Sequence, residues 1–130
     1  KDKIGIVFRT FGAPYNSTDS NTARALDNLP DIKIWLYKET TFPTNKYVMD
    51  RVKDVNIEYP VHIPDYEKFQ KGYELHKTKD LLVIQGHPRS WVEDATRFED
   101  FKRIVLFLQA EGVTFTTPYA YYNRQQVNNR

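Results

Sequence analysis

At 130 residues and 15.4 kDa the chain suffices for one ordinary domain, residues 1–130. With 40% hydrophobic and 28% charged residues it can fill a packed core, which excludes a disordered tail. The 19 basic and 17 acidic side chains leave a formal charge of +2, too little for a broad electrostatic drive toward nucleic acid or an anionic membrane. The longest apolar runs, 81–84 and 104–108, fall far short of the roughly 20 residues that a bilayer span needs. No cysteine is present, which removes disulfides, Cys-zinc sites and thiol catalysis together. Lys1-Asp2-Lys3 runs into Ile4, Ile6, Val7 and Phe8 without the apolar stretch and cleavage site of a signal peptide, and the compartment is left open.

Residues 4–8 are an apolar, partly β-branched run that ends in a Gly/Pro/Asn/Ser/Asp cluster, so they predict a buried strand and then a loop. Asn16, Ser17, Thr18 and Asp19 offer N-caps for a helix with Ala23, Leu26 and Leu29 on one face, closed by Pro30-Asp31. Residues 32–37 predict a second strand. The alternation of Val55, Ile57 and Tyr59 predicts a third over 52–59. Asp65 can cap a helix whose inward face is Tyr66, Phe69, Tyr73 and His76, with Gly72 a weak point in it.

Leu81-Leu82-Val83-Ile84 is the clearest buried strand of the sequence. Phe98, Phe101, Ile104, Val105 and Leu108 make its strongest helical stripe, with Glu99 and Arg103 paired on the opposite face and Gly112 where a C′ glycine belongs. Residues 113–116 predict a last strand, Pro118 opens a short terminal helix, and the polar tail 124–130 is expected to fray. Alternating strands and helices imply an α/β fold with a mostly parallel sheet flanked by helices. About five strands and about three helices make a small open sheet, or part of a closed barrel.

In such folds the loops after the strands carry the sites. Two loops qualify: residues 9–16 after the first strand, and Gln85-Gly86-His87-Pro88-Arg89-Ser90-Trp91 after the best one. Both are expected at one end of the sheet. His87 is the sharpest residue, able to act as general acid or base near neutral pH or as a metal ligand, or merely to hydrogen-bond its loop. His62 and His76 read as structural. No His-x-x-x-His or His-x-His spacing supports a metal site, which leaves only a composite zinc site assembled from distant loops, since three protein ligands are enough for a catalytic zinc. Trp91, beside Ser90 in a loop, is a candidate platform for a sugar ring, whereas Phe98, Phe101 and Phe115 read as core. A stand-alone enzyme using His87 with Glu93 or Asp94 is a further alternative. The absence of Gly-x-Ser-x-Gly, Gly-x-Gly-x-x-Gly and Walker motifs argues against serine-hydrolase, dinucleotide and NTPase readings.

Residues 81–88, then Trp91, the Phe98/Phe101 helix, Gly112-Val113-Thr114-Phe115 and Thr117-Pro118-Tyr119 resemble the C-terminal portion of polysaccharide deacetylases. Phe11-Gly12-Ala13-Pro14-Tyr15-Asn16 is similar to that family's earlier Pro-aromatic motif, and the order of the two motifs also fits. The resemblance implies a partial, incomplete (β/α) barrel that removes N- or O-acetyl groups from a polymeric carbohydrate with a divalent metal, usually zinc. By it His87 is the general acid for the leaving amine or hydroxyl. Pro14, Tyr15, Asn16 and Trp91 line the substrate groove, and the Tyr15 N–H helps hold the oxyanion.

The family's metal ligands, an aspartate and a His-x-x-x-His pair ahead of the Pro-aromatic loop, have no counterpart among the ten residues before Phe11, and Gly12 stands where an arginine is common. The expectation is therefore a deacetylase-like chain without its metal-binding part and with no metal of its own. Either it is a hydrolase incomplete as it stands, or a non-catalytic carbohydrate-binding domain on the same scaffold. A missing barrel wall would expose strand edges, which self-association would cover.

Overall fold

A computed structural model of the chain describes residues 5–36 and 42–128. It contains three short strands, β1 (Thr10–Gly12), β2 (Ile34–Leu36) and β3 (Tyr47–Met49), and five helices. These are α1 (Ser20–Asp27), α2 (Tyr66–His76), α3 (Pro88–Trp91), α4 (Ala95–Ala110) and α5 (Pro118–Asn128). They divide between two compact units, residues 1–50 with 116–130, and residues 51–115.

The first unit is a three-stranded parallel sheet, in order β1-β2-β3, with Trp35 opposite both Phe11 and Val48. α1 forms the crossover between β1 and β2. Asp19 caps it, accepting from the Thr22 N–H at 2.8 Å while Thr22 Oγ1 accepts from the Asp19 N–H. That reciprocal pair satisfies two of the N–H groups that a helix start leaves open. Ala23 and Leu26 of α1 bury against Trp35, with Phe11, Ile32 and Phe42 around them. Leu29, expected on the same stripe, lies beyond the helix end and is exposed. Asp27, the last residue of α1, accepts from Thr44 Oγ1 at 2.7 Å and from the Asn45 N–H at 3.0 Å, which ties the helix to the turn before β3. α5 packs beside the sheet through Tyr122, edge-on to Tyr47. It runs on to Asn128, through residues read as a fraying tail.

The second unit is built on α2 and α4. Asp65 caps α2 by accepting from the Lys68 N–H at 2.9 Å. Phe69 and Tyr73 on its inward face join Val55, Ile104 and Leu108 in a buried cluster. Gly72 has a specific role there. A Cβ at that position would lie 2.0 Å from the Asp54 carbonyl oxygen, so only glycine lets the helix come this close to the 52–57 segment. α4 ends in a complete Schellman motif. Gly112, at φ +75, donates to the Gln109 carbonyl and Val113 donates to that of Leu108, while Val113 packs on the core.

Several expectations are corrected here. No described residue of the run 4–8 lies in a strand, and β1 forms instead at Thr10–Gly12, within the residues read as a loop; Ile6 and Phe8 are exposed, and Ile4 and Tyr37 lie outside the described residues. Residues 81–84 and 113–116 form no strand, and 52–59 contribute only an isolated antiparallel bridge from Glu58 to Pro64. Leu82 and Ile84 still pack on the core, so the apolar run marks burial without a ladder. With three strands in one open sheet, no barrel forms among the described residues. The second candidate loop accordingly does not follow a strand of the sheet. Phe98 and Phe115 are exposed, while Phe107 packs on the core. Glu99 pairs with Lys102, and Arg103 with Asp100 and Glu67, in place of the expected Glu99–Arg103 pair.

Candidate functional site

Two segments of the second unit meet at the Glu58 carboxylate. Residues 57–65 fold back on themselves: Tyr59 donates to the Ile63 carbonyl at 2.8 Å, and Asp65 to that of Ile57 at 2.9 Å. The turn contains a cis Tyr59–Pro60 bond and places His62 at φ +78, a conformation uncommon for a residue with a side chain. The second segment is the His87 loop. Pro88 opens α3 with its fixed φ, His87 stands at the N-cap, and the Ser90 N–H returns to the His87 carbonyl at 3.0 Å. Gly86 allows Trp91 to fold under the loop, since a Cβ there would meet the indole at 2.5 Å.

Glu58 accepts four hydrogen bonds, two at each oxygen. Oε1 takes the His87 backbone N–H and the Trp91 indole N–H, both at 2.7 Å. Oε2 takes the His62 backbone N–H at 2.9 Å and His87 Nδ1 at 2.7 Å. Its side chain is only 6% exposed. Burial pushes the carboxyl up, but the donors from His62, His87 and Trp91 together outweigh it, and Glu58 stays below the usual glutamate value. An ionised carboxylate only accepts, so the shared proton sits on His87 Nδ1. Nδ1 is thereby committed to Glu58 in both the neutral and the protonated ring, which leaves Nε2 as the position where the ring gains or loses a proton. No hydrogen bond among the described residues uses that nitrogen, and the side chain is 40% exposed. A histidine held at Nδ1 by a buried carboxylate and open at Nε2 can deliver or take up a proton at one defined point.

The His62 ring stands edge-on to that of His87, with centroids 4.7 Å apart, and its Nδ1 lies 2.9 Å from Ser90 Oγ. Glu58, His62 and His87 thus bring ligand-type atoms within 4.8 Å of one another. Two histidines and a glutamate are a donor set of the kind that holds a catalytic zinc. The roughly four lone-pair positions of the carboxylate are all engaged at Glu58, so an ion held by all three residues would displace one of its donors.

Of the residues singled out by sequence, His87 stands at the centre of this cluster. Trp91 is at the same place but is 3% exposed, tilted against Phe101 and donating to Glu58; it props the site from below and offers no open face to a sugar. Pro14, Tyr15 and Asn16 form a tight turn in the first unit, where Tyr15 and Asn16 both have φ 54 and the Tyr15 side chain is fully exposed. Asp94, weighed as a partner for His87, instead caps α4 by accepting from the Thr96 N–H at 2.8 Å. His76 sits 3.4 Å from Asp54 at the end of α2, in a structural place.

Glu58, His62 and Ser90 were not found from sequence. Glu58 falls on the polar side of an apparent alternating strand and lies 29 residues from His87, so no local spacing joins them. No protein-family profile, curated protein or solved structure matches the chain.

Proposed function

We propose that this chain hydrolyses acyl groups, with His87 as the acid that protonates the leaving group and Glu58 as the residue that holds it in place. The observation that carries this reading is the 2.7 Å contact from His87 Nδ1 to a buried, fully hydrogen-bonded carboxylate, on a side chain that is itself 40% exposed. As a nucleophile adds to the acyl carbon, the leaving amine or hydroxyl takes the proton from Nε2. The Glu58 carboxylate balances the charge of the imidazolium before that transfer and keeps the ring from turning. On the resemblance of the His87 loop, the acyl group is an acetyl on a polymeric carbohydrate, and the same resemblance relates the open sheet to the incomplete barrel of deacetylases. Acetate release from acetylated chito- or xylo-oligosaccharides tests the reading. His87→Ala should lower the rate by about 10²–10⁴-fold with the fold intact by circular dichroism. A rate equal to the parent's would remove His87 from the chemistry.

A second reading, a carbohydrate-binding domain without catalysis, rests on Tyr15, whose ring is fully exposed on its turn. It predicts glycan binding by calorimetry that Tyr15→Ala abolishes and His87→Ala leaves unchanged.

A further inference from the structure

Ser90 and His62 lie beside the Glu58–His87 pair without a part in the chemistry above. Ser90 Oγ is 2.9 Å from His62 Nδ1, hydrogen-bond distance for a hydroxyl and its base. Both partners are held from behind. The Ser90 N–H bonds the His87 carbonyl, and Arg97 Nη1 donates to the Ser90 carbonyl at 3.3 Å. The His62 backbone is kept in its left-handed conformation by donating to Glu58 Oε2, the oxygen that also holds His87. One carboxylate oxygen therefore sets the place of both imidazoles. A non-glycine residue in this backbone region is a strain that persists only where its surroundings enforce it, and such residues gather at functional sites.

We propose that Ser90 is a nucleophile, activated by His62, that takes the acyl group of an ester or amide substrate to form an acyl-enzyme; this rests on the hydrolase reading. Ser90 Oγ bonds to the acyl carbon and gives its proton to His62 Nδ1. The tetrahedral adduct collapses, the bond to the leaving amine or alkoxide breaks, and that group takes the proton from His87 Nε2. Water then attacks the Ser90 ester and passes a proton to the now neutral His87 Nε2. Ser90 Oγ leaves and recovers its proton from His62 Nδ1. Each histidine returns to its starting state, and the net reaction is addition of one water across the acyl bond.

The test uses the full chain with p-nitrophenyl acetate, quenched in acid before steady state and mapped by peptide mass spectrometry. The expected result is a burst of nitrophenolate and one hydroxylamine-labile acetyl ester on Ser90, distinct from hydroxylamine-stable lysine amides. Ser90→Ala should lose both. His62→Asn, which tolerates the left-handed backbone, should slow acylation by about 100-fold. Ser90→Cys should carry a thioester at the same position, so a folding defect in one variant does not decide the matter. No labile adduct at Ser90, or an undiminished burst in Ser90→Ala, would overturn the proposal. Acetate release from oligosaccharide that survives in Ser90→Ala would overturn it while sparing the hydrolase reading. An acetyl ester at Ser90 without release from any acetylated saccharide would uphold the nucleophile and remove the carbohydrate.

Discussion

Glu58 accepts four hydrogen bonds and donates none, so replacing it alters more than a charge. In Glu58→Gln one oxygen still accepts, but the new amide NH₂ faces at least one fixed N–H donor that then has no partner, the His62 N–H even where His87 Nδ1 turns acceptor. We expect a loss of about 3 kcal/mol in urea unfolding at neutral pH, within the range for buried hydrogen bonds to a charged group. His87→Ala removes one of the four donors from a partly exposed ring and should cost less, about 1–2 kcal/mol. Because the folded protein holds Glu58 below its ordinary value, the unfolded chain binds its proton first as the pH falls. The stability from this group is complete above the ordinary glutamate value of about 4.3, and is lost as the pH drops through the lower folded value. Unfolding free energy between neutral and acid pH should fall less in Glu58→Gln than in the parent; equal slopes would contradict the assignment. His87 was legible because it closes an apolar run and precedes a proline. Its partner was not, since hydrogen bonds to a buried carboxylate across 29 residues leave no periodic trace.

The helices were legible, save α3 within the loop read over 85–91, because caps are local chemistry. Asp19, Asp65 and Gly112 each act where the sequence places them. The strands were legible only in part: β2 falls within the expected 32–37, but a strand exists by virtue of its neighbour, and Leu82 and Ile84 reach the core without one. Glycines separate the two kinds of information. Helix propensity alone says that Gly72→Ala gains about 1 kcal/mol, but the clash with the Asp54 carbonyl predicts a net loss of about 1–3 kcal/mol. Gly112→Ala has open space around it and pays only for its positive φ, about 1 kcal/mol. Gly86→Ala displaces Trp91, and with it one donor to Glu58, so it should lose activity along with stability. Urea midpoints for the three variants check the order, and a stabilising Gly72→Ala would refute the close approach of α2.

For the whole molecule, the α/β class was readable from a strand, a capped helix and a second strand in succession. The barrel was not, since its closure depends on strands that 81–84 and 113–116 do not form. Among the described residues the sheet ends at β1 and β3, and Ile6, Phe8 and Phe115 are exposed. Light scattering should show a mass that rises above 15.4 kDa with concentration; a constant monomer mass would contradict self-association. No described helix is long and apolar enough to cross a membrane. The claim on which the functional account turns is that Glu58 acts through His87. A double-mutant cycle on acetate release, with Glu58→Gln, His87→Ala and both together, measures it most directly. The account predicts a double variant far less impaired than the product of the two single losses, because most of the carboxylate's effect passes through the ring and only its hold on the His62 backbone remains without it. Losses that add would show Glu58 acting elsewhere, and would contradict the paired site.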